Sequence, residues 1–399
     1  MRTGAARFVN TTLIEQLADN GFRAVHKIGL VFVERDGQSM VRYAFRSLYY
    51  SWSCRDAKYV HKPYLYNRVN VLLREEKVEI ALIKSYSEKP WRSPETYQLI
   101  EDSLREKWHV RSISTEDPGV LHSMLTAMRR ETGDSIFAFN VAEHLDEKQH
   151  VGFLPALLEE WQIPHLASSC ETVAIGLDKA RTKQLLQDNG IPTPRYFVVN
   201  NGDSDIKEDV DRIGYPLFVK PIGEGGHIGI DEDSIIHDDV GLDKAVKRIL
   251  DEHEQPALVE EYINGESMRE FSVGIVESET RLLTPIEIAY ESMDGEPILS
   301  YEAAQNDQEK TKLVQGEVIR DEIIDLSERT FAAVGARDYS RVDLRMNQSG
   351  CYVLEINVMP GLGPDSFLPR AAKDIYGLEY GPLVQKLVEV SMERQGVEW

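Results

Sequence analysis

The chain has 399 residues, 42% hydrophobic and 28% charged, a composition expected of a soluble globular protein long enough to bury a core in two or three domains. A formal net charge of −22 argues against non-specific binding to nucleic acid or to anionic membrane surfaces, so neither is expected as a partner. Cys54, Cys170 and Cys351 lack metal-ligand spacing, and no signal-peptide core or long apolar run is visible; a cytoplasmic protein without disulfides is expected.

In chain order, residues 1–26 read as a short amphipathic helix leading into a strand at Ile28–Val33. A helix is expected from Gln38, a strand at Val78–Ile83, a helix around Tyr97–Lys107 and a strand at Ser135–Asn140. Such alternation favours a doubly wound α/β layer structure. Lys84–Pro94, with two prolines, reads as a loop. Leu177–Asn189 is predicted as one helix stopped by Gly190, and a first domain boundary falls near 168–172. Tyr215–Ile230 reads as strand, glycine-rich loop and second strand, followed by a helix at Leu242–Asp251 and a strand at Ala257–Tyr262. A second boundary near 263–265 then gives domains 1–168, 169–263 and 264–399. The last contains antiparallel strands Phe271–Val276 and Leu282–Ala289, a helix Val318–Val334, a hairpin and a helical tail from about Pro369.

The hairpin, Tyr339 to Asn357, carries the first chemistry. Its alternation predicts half-buried strands joined by a three-residue bend, Gln348-Ser349-Gly350, with Leu354 on the apolar face. That register sets Asp343 across from Glu355 and Arg341 across from Asn357. Directly opposed carboxylates repel unless something positive lies between them. Two carboxylates and an amide oxygen form a hard-oxygen set suited to Mg²⁺; the alternative is the solvated face of a plain hairpin. Lys220 ends an apolar strand and is followed by Gly223, Gly225, Gly226 and Gly229. Glycines let backbone N–H groups approach phosphate oxygens, and the lysine adds charge. The spacing is neither a Walker A loop nor a dinucleotide fingerprint, so this reads as a flap over phosphates, or else as a bland turn. Lys179 alone reads as a surface lysine. Glu260, Glu261, Tyr262 and Ile263 end an apolar strand that could meet an adenine edge or form a sheet edge.

In order and spacing, Lys179, Lys220, the glycine loop, Glu260–Ile263, Asp343, Glu355 and Asn357 resemble the ATP-grasp fold, in its D-alanine–D-alanine ligase-like branch. IPTPRYFVV after LDKARTKQLL, RVDLRM and LEINVMPGLGPDSFLP carry the likeness, over about residues 151–385. The implied fold is α/β: an N-terminal doubly wound domain followed by central and C-terminal ATP-grasp domains. The resemblance implies that Lys179 and Lys220, with Gly225 and Gly226 of the flap, meet ATP phosphates and that Glu260–Ile263 hold adenine. Glu270 is implied as the ribose carboxylate, with Glu266 its rival. Asp343, Glu355 and Asn357 are implied to hold two Mg²⁺ ions, with Mn²⁺ as a substitute. Arg341 and Ser366 match positions that stabilise the tetrahedral intermediate and hold the second amino acid's carboxylate.

The donor side departs from the family. IGLVFVERDGQSM lacks the early G-G-x-S-x-E motif, leaving Glu34 as a stand-in. Gly226 and His227 stand where serines are usual, and Ala304-Gln305 where a Lys-Tyr pair is expected, with Lys310 or Lys312 as substitutes. The expectation is therefore an ATP-dependent ligase in natural-product or peptide biosynthesis. It would add a small amino acid to a carboxylate or vinylogous-acid donor other than D-alanine, with His227 facing donor or γ-phosphate. A cell-wall D-alanine–D-alanine ligase, a small-molecule kinase and a non-catalytic ATP-binding scaffold are the alternatives, and the family likeness allows a homodimer.

Overall fold

The computed structural model describes residues 78–87, 89–133, 135–203, 206–265, 267–289 and 310–397, together with the backbone of 23–27, 30–34, 41–45 and 48–53. The chain divides into two compact units, Met1–Glu75 and Glu76–Trp399. The first contains β1 (Arg23–Lys27), β2 (Leu30–Glu34), β3 (Val41–Phe45) and β4 (Leu48–Ser53), in the order β1-β2-β4-β3 with β2 and β4 parallel. Two expectations fail here. Residues 23–26 are strand, and the helix expected from Gln38 meets strand β3, where Val41, Tyr43 and Phe45 alternate with Arg42 and Ala44 in a two-residue period.

The second unit opens with β5 (Glu79–Lys84), a single 3₁₀ turn at Pro90–Arg92, α1 (Pro94–Arg105), β6 (His109–Ser114), α2 (Pro118–Thr132) and β7 (Ile136–Phe139). These make a parallel sheet in the order β6-β5-β7, buried as parallel sheets are. A small hairpin, β8 (His144–Asp146) and β9 (Val151–Phe153), and α3 (Leu154–Glu160) follow. The expected single helix at Leu177–Asn189 is two: α4 (Cys170–Leu177) and α5 (Lys179–Asp188). Asp178 breaks it. Its backbone is extended and its carboxylate accepts the Arg181 N–H at 2.9 Å, an N-cap that starts α5 at Lys179.

An antiparallel sheet follows, with order β10-β13-β11-β12: β10 (Tyr196–Val199), β11 (Leu217–Pro221), β12 (Ile235–Ile236) and β13 (Ala257–Glu261). Helices α6 (Lys207–Ile213) and α7 (Asp239–Glu252) complete it around a core of its own, which includes Phe197, Leu217, Val219, Ile249 and Val259. The second strand expected to end at Ile230 is absent. Gly226, His227 and Gly229 all have φ between 61° and 77°, incompatible with an extended run, and pairing resumes only at β12.

The last sheet runs β16-β15-β14-β17-β18, all antiparallel: β14 (Arg269–Val276), β15 (Leu282–Ala289), β16 (Lys310–Leu313), β17 (Tyr339–Asn347) and β18 (Gly350–Asn357). Helices α8 (Glu317–Val334), α9 (Phe367–Tyr376) and α10 (Tyr380–Gln395) complete the chain. One core joins this sheet to the parallel layer, with Tyr97, Ile100 and Leu104 of α1 and Leu383, Leu387 and Val388 of α10 in the same cluster as Phe271, Val342 and Ile356. The sheet with its own core thus faces a larger body built from two layers. Glu266, Ala304 and Gln305 lie outside the described residues.

Candidate active site

The β17–β18 hairpin reaches its expected register by an unexpected route. Its connection is two residues, Gln348-Ser349, because Asn347 already pairs with Gly350. A bulge offsets the shorter turn: Leu344 pairs with Val353 but Asp343 with Glu355, leaving Leu354 as an extra residue. Asp343 therefore faces Glu355 and Arg341 faces Asn357, as the alternation predicted. The bulge also corrects the face assignment. Val353 is fully buried, whereas Leu354 lines the cleft beside Glu355.

Around these two carboxylates, donors fill the space between the strands. Arg341 clasps Asp343 through Nε (3.0 Å to Oδ1) and Nη2 (2.8 Å to Oδ2). Ser272 of β14, directly across in register, donates to Oδ1 at 2.8 Å. The Asn357 amide nitrogen lies 3.1 Å from Asp343 Oδ2 and 3.3 Å from Glu355 Oε1. Turning that amide end for end would present its oxygen at the same place. Burial would push the Glu355 carboxyl up, but the Lys179 and Lys220 ammonium groups outweigh it and hold the carboxyl well below the usual carboxylate range. The oxygen set fits a hard divalent cation bracketed by positive donors.

Facing the hairpin, Glu260 of β13 sits between two lysines, with Lys183 Nζ and Lys220 Nζ each 2.7 Å from one of its oxygens. All three side chains are buried. Burial and the neighbouring Lys220 push the Lys183 ammonium down to about 8, against the pull of Glu260. Burial acts downward on Lys220 too, but Glu260 and Glu355 prevail and raise it. Glu260 thus holds two ammonium groups in place, one of which, Lys220, also faces Glu355 across the cleft. Lys179, at the first turn of α5, donates to the Glu224 carbonyl of the glycine loop and lies 3.8 Å from Glu355. Its backbone N–H reaches the Ile222 carbonyl at 3.1 Å, tying the helix start to the root of the flap.

The cleft between the two sheets is lined by Lys220, His227, Glu260, Arg341, Asp343 and Glu355 among others. Glu261, Tyr262, Ile263 and Glu270 also line it. Glu261 points away to Arg195 (2.9 Å), and Tyr262 stacks on Phe218 with ring centroids 6.1 Å apart. Glu270 is paired with Arg345 at 2.5 Å. His227 is half-buried; burial outweighs the Glu355 and Asp343 carboxylates and lowers its imidazole below the ordinary range. Gly225 and Gly226 lie in the flap, Gly225 in a second cleft beside Lys179 and Glu355. Ser366 is the N-cap of α9, yet its hydroxyl makes no capping bond, and Arg341 lies 5.2 Å from the ring of the next residue, Phe367.

Two participants escaped the sequence reading. Lys183 lies one helical turn after Lys179, so i,i+4 spacing carried the signal. Ser272 is visible only through the strand register. A third contact is Trp91: a Cβ at Gly361 would stand 2.6 Å from its Cγ, and one at Gly226 3.4 Å from its Cζ2. The indole therefore packs against both the flap and the loop before Ser366.

This architecture has known counterparts. Residues 185–389 match the family model for the D-ala D-ala ligase C-terminus. An uncharacterized protein, y4sG, of Sinorhizobium fredii is 32% identical over 76% of this chain and 90% of its own length. A D-alanine–D-alanine ligase of Pelotomaculum thermopropionicum is 31% identical over 62% of this chain and 77% of its own. The crystal structure of the D-alanine–D-alanine ligase from Bacillus anthracis complexed with ATP superposes with a TM-score of 0.63 at 22% identity, covering 80% of this chain and 99% of that one, a likeness of fold. Among the described residues no helix is long and apolar enough to cross a membrane. The chain belongs to the D-alanine–D-alanine ligase family and is an ATP-grasp enzyme of the carboxylate–amine ligase class.

Proposed function

We propose that this enzyme activates the carboxylate, or vinylogous acid, of a donor other than D-alanine by phosphoryl transfer from ATP, then joins it to the amine of a small amino acid. The observation that carries this reading is the convergence of Lys220, Arg341, Asp343, Glu355 and His227 on one cleft. Lys179, Lys183 and Lys220 would hold the phosphates, with Glu260 setting the positions of the last two. Residues 260–263 would lie along adenine and Glu270, with its partner Arg345, beside the ribose. Asp343, Glu355 and Asn357 would hold Mg²⁺, which neutralises phosphate charge and polarises the γ-phosphoryl group. Arg341 and Ser366 would receive the acceptor's carboxylate and steady the tetrahedral intermediate, guanidinium being suited to both tasks. Closing the glycine flap would keep water from the activated donor. Neutral His227 replaces a small hydroxyl residue there, which supports a donor different from D-alanine.

The 31% identity to a D-alanine–D-alanine ligase favours a second reading, in which D-alanine fills both subsites. ADP release with paired acids and amino acids, coupled to mass spectrometry of products, separates the readings. An amide product from a donor other than D-alanine, formed only when an amine is added, is expected. Ordinary turnover on D-alanine alone would overturn the donor assignment, and ADP release without any amine would indicate a kinase.

A further inference from the structure

Arg345 follows Asp343 by two positions on β17 and lines the same cleft. It is buried, and so is Glu270, its partner across the register on β14. Arg345 Nε donates to Glu270 Oε2 at 2.7 Å, and Nη2 meets the same oxygen at 2.5 Å. The remaining nitrogen, Nη1, reaches the Ile263 carbonyl at 3.5 Å. The centre of the guanidinium stands 5.2 Å from the middle of the Tyr262 ring, the ring that stacks on Phe218 with planes 17° apart. Further along β17, Asn347 donates to the Asn264 carbonyl at 3.1 Å. One guanidinium therefore ties a carboxylate of the β14–β17 sheet to the segment that leaves β13 of the other sheet. Phe218, Tyr262, Ile263 and Glu270 all line the cleft with it. A buried ion pair is a poor route to stability, since apolar residues of the same volume do as well. What an arginine offers instead is a planar fork that fixes a carboxylate and lies on an aromatic face.

From this geometry we infer that Arg345 is the positioning residue for the nucleotide's sugar: it holds Glu270 and the 262–263 segment in one arrangement, and the preference for ribose over deoxyribose depends on that guanidinium. This rests on the nucleotide reading of the cleft and deepens it, from a carboxylate beside the ribose to the group that aims the carboxylate. An ionised carboxylate has about four acceptor sites, so Glu270 can receive ribose hydroxyls while Arg345 stays bound to it. A buried carboxylate set to receive a hydroxyl loses that bond when the analogue lacks it, and such sites discriminate strongly for this reason. Lysine is no substitute. A single ammonium cannot hold Glu270 by two nitrogens, reach the Ile263 carbonyl and cover the Tyr262 ring at once. Because Asp343 and Arg345 share β17, one strand would set the positions of both the metal and the sugar.

The test uses the full chain with Mg²⁺ and calorimetry of the non-hydrolysable analogue AMP-PNP against its 2′-deoxy and 3′-deoxy forms. The unaltered enzyme should bind AMP-PNP about tenfold or more tighter than at least one deoxy form, as a hydrogen bond to a charged group would give. Arg345→Met should bring that ratio within about twofold although Glu270 is intact, and Arg345→Lys should leave it at about threefold. Arg345→Met leaves a buried carboxylate unpaired; if it does not fold, Arg345→Lys, which keeps the charge, decides the question by the same ratio. A merely structural role would weaken all three nucleotides equally and leave the ratio at its original value. That result in Arg345→Lys and in any folded Arg345→Met, or equal binding of the three nucleotides by the unaltered enzyme, overturns the assignment while the nucleotide reading stands. Failure of the folded enzyme to bind AMP-PNP at all would defeat the nucleotide reading and this inference together.

Discussion

Two charge clusters lie near the carboxylates of the β17–β18 hairpin, one buried around Glu260 and one, around Arg92, partly open. On one side Lys183 and Lys220 share Glu260; on the other Glu143 and Glu147 share Arg92. Lys220 also faces Glu355, and Glu143 shares a hydrogen bond with Glu147, so each cluster is closed by its own neighbours. The difference teaches where an anionic ligand would belong: a polyphosphate would lie on the side where Lys179, Lys183 and Lys220 converge, away from the paired carboxylates. The reacting atoms would meet beside Asp343 and Glu355.

The largest effect should come from the hairpin itself. Asp343→Ala or Glu355→Ala should lower ADP release about a thousandfold, roughly 4 kcal/mol of barrier, with an unchanged far-ultraviolet circular dichroism spectrum. Near-normal rates in both variants would remove the metal assignment. Next, Glu260→Gln strands two buried lysines and should destabilise the apo enzyme by about 3 kcal/mol in urea unfolding. Added ATP analogue should restore more stability to this variant than to the wild type, since phosphate replaces the missing anion. Equal gains would mean that Lys183 and Lys220 do not face the nucleotide.

A carboxylate with the same two-cation arrangement, but away from the cleft, offers the control. Glu101 of α1 binds Lys84 (2.7 Å), Ser112 (2.7 Å) and Arg105 (2.6 Å). Burial would raise its carboxyl, but these partners pull it down to about 2. A folded pKa below the unfolded one contributes stability that is present above the unfolded value, near 4.5, and is lost as pH falls through about 2. Glu101→Gln should therefore cost about 2 kcal/mol at neutral pH, after allowance for solvent screening, and flatten the loss of stability in acid without altering nucleotide affinity. The smallest change is expected at Trp91. Trp91→Ala should lower kcat about tenfold, read by single-turnover ADP release, because its indole braces the flap at Gly226 and the loop at Gly361.

Much of the lysine side was legible in the sequence and little of the glutamate side was. Lys179, Lys220, Asp343, Glu355 and Asn357 lie on elements whose period or flanking glycines mark them, and their order along the chain carries the family likeness. Even there, the bulge at Leu354 was invisible, because a two-residue turn with a bulge and a three-residue turn without one yield the same Asp343–Glu355 register. Arg92 and Glu147 are separated by 55 positions and sit in a turn and a short hairpin, where neither period nor spacing announces a contact. Strand β3 was misread because a short stretch offers only a few residues to distinguish a two-residue period from a helical one.

The most direct measurement is a crystal structure of the full chain with Mg²⁺ and AMP-PNP. The triphosphate should lie within hydrogen-bonding reach of Lys179 and Lys220, with Mg²⁺ bound to Asp343, Glu355 and the Asn357 amide oxygen and the Arg341–Asp343 clasp loosened. A triphosphate bound elsewhere, with those hairpin side chains still closed on one another, would contradict the account.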